Sequence, residues 1–104
     1  MPLDIKGVTL PGETMLEIKD EDLDFQKAHD AAFARVKTYD SDPMLLAWFD
    51  RKAGRESPSV SCEGEETDPG WVSYAKSHGG NLTVNVNHGD YIFIYKSRHE
   101  FRPK

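Results

Sequence analysis

An α+β domain is predicted by three observations. Two stretches carry helical periodicity, near 23–39 and 68–78. Each is followed by apolar, β-branched and aromatic runs joined by a glycine-bearing turn. An alternating segment, Met15–Lys19, precedes the first helix. The order is therefore β-α-β-β-α-β-β. It implies a two-layer fold, an antiparallel sheet of four to five strands with both helices on one face.

The opening residues, 1–14, hold Pro2, Gly7, Pro11 and Gly12 and read as loop. Leu16 and Ile18 alternate with polar neighbours and give the first short strand. Asp20-Glu21-Asp22 supplies a cap and negative charge for the helix that starts at Leu23. Phe25, Ala28, His29, Ala32, Val36 and Tyr39 recur at spacings of three and four, so they form the buried stripe. Asp40-Ser41-Asp42-Pro43 ends the helix, because a residue before proline is pushed out of helical geometry.

Met44–Arg51 is densely apolar and suits a strand buried on both faces. Lys52-Ala53-Gly54 reads as its turn and Ser59–Glu63 as the returning strand. Gly64–Thr67 is polar loop. Asp68 and Pro69 then have the cap and first-turn chemistry of a second helix. Trp71, Tyr74, Ala75 and His78 mark one face of it, and Gly79-Gly80 stops it. Leu82, Val84 and Val86 alternate with polar residues, and Tyr91–Lys96 returns after Asn87-His88-Gly89. Ser97–Lys104 is a basic tail. No linker divides the 104 residues, so residues 1–104 read as a single domain.

The last turn decides which side chains share a face. A two-residue His-Gly turn pairs Val86 with Tyr91. A three-residue turn with a glycine bulge pairs Val86 with Asp90 and turns every side chain over. The glycine in third place favours the bulge. Leu82, Val84, Val86, Ile92 and Ile94 would then face the helices. The opposite face would carry Thr83, Asn85, Tyr91, Phe93 and Tyr95, joined by Leu45, Ala47 and Phe49. Met44, Leu46, Trp48, Val60 and Cys62 would go inward. Such a bare aromatic face marks an interface. Leu45, Phe49, Thr83, Asn85, Tyr91, Phe93 and Tyr95 are thus the candidate binding residues of a homodimer or of a small-molecule or protein ligand.

Charge and composition exclude several classes. Net charge is −5, which disfavours nucleic acid. Residues 1–43 carry 5 basic and 10 acidic side chains, and residues 44–104 carry 8 of each, so the acidity belongs to the first part. No apolar run is long enough for a membrane span, and no signal peptide is visible. A single cysteine cannot form an internal disulfide. These features point to a cytoplasmic domain.

Chemistry-bearing motifs are sparse. His29, His78, His88 and His99 form no zinc pattern with Cys62, so neither metal nor cofactor is expected. Cys62 has acidic neighbours, which raise a thiol pKa and favour an inert residue. Gly79-Gly80 lacks the lysine and following helix of a phosphate loop. Asp50 and Asp90 suit turn positions better than acid–base roles. The expected function is a small binding or assembly domain, homodimeric through its aromatic sheet face, rather than an enzyme. The alternatives are a small enzyme with a site near Cys62, His78 and Asp50, and a metal or cofactor carrier using His29, His78 or His88.

Overall fold

The computed structural model describes residues 10–38, 43–57 and 70–96. Five strands and two helices follow in the expected order: β1 (Glu13–Leu16), α1 (Phe25–Val36), β2 (Met44–Asp50), β3 (Arg55–Ser57), α2 (Gly70–Ser77), β4 (Leu82–Val86) and β5 (Tyr91–Lys96). The fold is α+β. The expected strand Ser59–Glu63, with Val60 and Cys62, lies outside the described residues, as do Tyr39, Asp68, Pro69 and the basic tail. The strand that pairs with β2 begins earlier, at Arg55.

The sheet order is β1-β4-β5-β2-β3. It is mixed rather than wholly antiparallel, because β1 runs parallel to its neighbour β4. β2 and β4 both run antiparallel to β5, so β1, β2 and β4 share one direction. The segment from β1 to β2 is thus a crossover, and α1 passes over β4 and β5.

The helices lie on opposite faces, which corrects the expected two-layer arrangement. One core holds Ala28, Ala32 and Val36 of α1 against Val84, Val86, Tyr91, Phe93 and Tyr95. The other holds Trp71, Val72 and Ala75 of α2 against Ala47, Phe49, Ile92 and Ile94. Alternate residues of β5 belong to different cores, as a strand covered on both sides requires. Side-chain size matches on each face. The small stripe of α1 lets it approach the bulky Tyr91, Phe93 and Tyr95. On the other face Trp71 supplies bulk, stacking on Phe49 at 5.3 Å.

The β4–β5 register corrects the bulged turn. Val86 pairs with Tyr91 and Val84 with Phe93, the register of the rejected alternative. Asn87 and His88 take φ values of 51° and 58°, and Gly89 is also positive. Asparagine and histidine are enriched in that region among non-glycine residues, so the turn does not need the bulge that the third-place glycine suggested. The Asn87 side chain also stabilises the turn. Its Nδ2 donates to the Ile18 carbonyl at 3.0 Å, and its Oδ1 accepts from the Ile18 N–H at 2.7 Å.

Local caps follow familiar chemistry. Asp24, rather than the acidic stretch before it, caps α1 by accepting from the Lys27 N–H at 2.9 Å. At the end of α2, Gly80 N–H donates to Ala75 O at 2.8 Å while Gly79 takes φ +89°, a left-handed cap that alanine would strain. A shift of register between Leu45 and Ala47 splits the predicted row of β2. Leu45 and Trp48 join the α1 face, and Ala47, Phe49 and Leu46 the α2 face.

Candidate functional site

The predicted aromatic face is not bare. Tyr91, Phe93 and Tyr95 are buried beneath α1. Leu45 flanks them, half-buried. Phe49 lies on the other face, under Trp71. Thr83 and Asn85 are also on that other face, buried and engaged. The Thr83 hydroxyl donates to the Pro11 carbonyl at 2.6 Å. Asn85 Nδ2 donates to Glu13 Oε2 at 2.7 Å, and its Oδ1 accepts from Gly89 N–H at 2.6 Å. These two residues fasten β1 and the last turn. The seven predicted residues therefore do not form one surface.

What α1 leaves partly open is its own flank. Phe25, His29 and Phe33 stand four residues apart, one stripe beside the buried Ala28, Ala32 and Val36. Phe25 lies 4.6 Å from Trp48 of β2, centroid to centroid, and 5.5 Å from Phe93. His29 lies 6.2 Å from Phe25 and 6.4 Å from Phe33, with its ring nearly coplanar in tilt with Phe33. The four rings Trp48, Phe25, His29 and Phe33 make a row. A cation stands at each end. The Arg55 guanidinium is 5.9 Å from the Trp48 ring, and the Lys37 ammonium is 5.6 Å from the Phe33 ring. Phe33 is 37% exposed and the His29 side chain 33%. Sequence reasoning missed Phe33, although its spacing from Phe25 and His29 was the available signal.

Two buried polar atoms in this layer have no hydrogen-bond partner among the described residues, His29 Nδ1 and Tyr95 Oη. Asp30 Oδ1 stands 3.6 Å from His29 Nδ1, which is too long for a hydrogen bond. Burial pushes the Tyr95 phenol well above its ordinary pKa of 10.0. Tyr91 is raised too, by burial first and then by Asp50, Asp24 and Asp90. Folding therefore holds phenol protons that the unfolded chain releases above pH 10. This contribution is complete below that pH and fades as pH climbs toward the folded values. Tyr95→Phe is expected to raise stability at neutral pH by about 1 kcal/mol, since it removes an unpaired buried hydroxyl. It should also flatten the alkaline decline. Urea unfolding at neutral pH and above pH 10 checks both, and a less stable variant would mean that the hydroxyl is satisfied.

The other candidates separate. Asp50 is level with Val86, since both pair with Tyr91. His78 precedes Leu82, at the far end of β4, so about 13 Å of strand lies between the levels of Asp50 and Leu82. Cys62 is outside the described residues. His78 stacks on Tyr74 at 4.0 Å, and its Nδ1 lies 2.8 Å from the Tyr74 carbonyl, a helix-end role. The Asp50 carboxylate is buried, accepts from the Ala53 N–H at 3.1 Å and faces Arg55 at 3.9 Å, so it ties the β2–β3 turn. His88 is exposed in the last turn. Among the described residues no group of three or more His, Cys, Asp or Glu side chains could hold a metal ion. Among the same residues, no helix is long and apolar enough to cross a membrane.

A solved structure shares this architecture. The crystal structure of the AF1514 protein of Archaeoglobus fulgidus superposes with a TM-score of 0.70 at 28% identity, covering 88% of this chain and 99% of that one. An uncharacterized protein of Archaeoglobus fulgidus is 38% identical over 52 residues, 50% of this chain and 54% of that protein. The match thus spans about half the length of that curated relative. A family model, the domain of unknown function DUF5619, covers residues 13–95. That span runs from the first residue of β1 into β5, through every strand and both helices described above, and the chain belongs to this DUF5619 family.

Proposed function

We propose that this is a binding domain whose ligand is a flat, ring-bearing molecule with an acidic group, held along the flank of α1. The row Trp48-Phe25-His29-Phe33 carries this reading: partly exposed rings in line, with Arg55 and Lys37 at its ends. Ring faces accept planar ligands without tight sequence of contacts, and the terminal cations favour a negative substituent. A cytoplasmic setting, which the single cysteine favours, accords with it. The buried state of Tyr91, Phe93 and Tyr95 removes the surface on which a dimer through the sheet face depended. An enzyme site uniting His78 with Asp50 finds no support, because the two lie at opposite ends of the sheet.

Titration with 2-naphthoate to a few millimolar tests the reading, followed by tryptophan emission and by NMR. Emission should change through Trp48, and Trp48→Phe should abolish the change while the buried Trp71 stays silent. NMR shifts should concentrate at Phe25, His29, Phe33 and Arg55. Shifts scattered over the surface, or none, would overturn the reading.

A further inference from the structure

The geometry points to the outer edge of β1 as an interface with a second copy of this chain, paired antiparallel about Leu16. Among the described residues, β1 is the edge strand on its side of the sheet. Thr83 N–H donates to Gly12 O and Asn87 N–H to Leu16 O, so the even-numbered residues of β1 turn their backbone groups toward β4. The backbone groups of Glu13, Met15 and Glu17 consequently face outward. The Asn87 side chain holds Ile18 in line through both its backbone groups, which carries the edge beyond Leu16. An edge with unpaired N–H and C=O groups is a template for another strand.

Charge narrows the register for a second copy. A two-fold axis at Met15 sets Glu13 against Glu17 of the other copy, and an axis at Glu17 sets Glu17 against itself. Both oppose like charges. An axis at Leu16 instead sets Glu13 against Lys19 and Met15 against Glu17, with each outward residue facing another outward residue. That register also answers two surface features. Met15 is 47% exposed, unusual for a thioether side chain of this size. Beside it lies an open cavity of about 220 Å³ lined by Met15, Leu16, Glu17, Asn87 and His88. Each copy's Met15 would lie beside the other's Glu17, at the mouth of this cavity, and the two five-stranded sheets would join into one. The interface is independent of the ring row on α1.

Light scattering across a concentration series tests it. The mass should rise toward twice the 11.8 kDa monomer with concentration. Met15→Pro removes an outward N–H that no strand among the described residues uses, so the variant should keep its circular dichroism and remain a monomer. Glu17→Pro repeats the test should Met15→Pro fail to fold. Lys19→Glu should weaken the dimer at least several-fold, and high salt should weaken it in the same direction. A wild-type monomer at every concentration would overturn the proposal and leave an edge kept apart by its charges. A dimer that survives both proline variants would overturn it as well, and would place the interface elsewhere.

Discussion

Phe93→Ala is expected to destabilise the domain by about 3–5 kcal/mol, and Ile94→Ala by about 2–5 kcal/mol. The two residues are neighbours on β5 with side chains on opposite faces. Phe93 is enclosed by Phe25 and His29 of α1, at 5.5 and 5.6 Å. Ile94 meets the α2 layer, where it lies so near Gly80 that an added Cβ there would approach Ile94 Cγ2 to 3.0 Å. Both substitutions leave a void that the surrounding rings and helices cannot fill without moving. In a sheet with one bare face, only one of the two would matter, and the other would fall within about 0.5 kcal/mol of wild type. Urea unfolding of the pair, with the slope held equal, distinguishes these outcomes.

Asn87→Ala carries the second large effect, a loss of about 2–3 kcal/mol. Two hydrogen bonds to the Ile18 backbone disappear, at about 1 kcal/mol each, and a left-handed backbone is forced on a residue that disfavours it. Asn87→Gly separates the two causes. It keeps the backbone freedom and loses only the hydrogen bonds, so its loss should be the smaller. Equal losses would show that the φ of 51° stores no strain. Hydrogen exchange adds a local readout. Both variants should raise exchange at Ile18 and through β1 before they raise it in β5, which lies between β4 and β2.

Element order was legible because it rests on local signals. The helical stripe at 25–36, the glycine cap after α2 and the alternation of Leu82, Val84 and Val86 each depend on a few adjacent residues. Placement across the sheet was not, because periodicity states which residues share a face of one element and not which side of the sheet that element takes. One clue was available. Tyr91–Tyr95 is an unbroken apolar run, the same pattern that marked β2 as buried on both faces. Applied to β5, it would have called for a helix on each side. The parallel pairing of β1 with β4 joins residues about seventy apart and leaves no local trace. The register shift beside Leu46 is equally silent, since any residue of that apolar run could bulge.

The candidate site shows the same division. The aromatic run of β5 is visible in the sequence and reads there as an open face. Its rings instead form the floor beneath α1. The rings left partly exposed beside them are those of the helix flank and of Trp48. Arg55 entered the site only through tertiary contact, whereas Lys37 continues the four-residue spacing of Phe25, His29 and Phe33 along α1. Nothing in their spacing along the chain relates one to the other.

Hydroxyl-radical footprinting read by mass spectrometry tests the two-sided burial of β5 most directly. All five residues from Tyr91 to Tyr95 should resist oxidation in the folded protein, while Phe33 and Trp48 are labelled. Labelling of Tyr91, Phe93 and Tyr95 with protection of Ile92 and Ile94 would contradict the three-layer arrangement and restore the sheet with one open face.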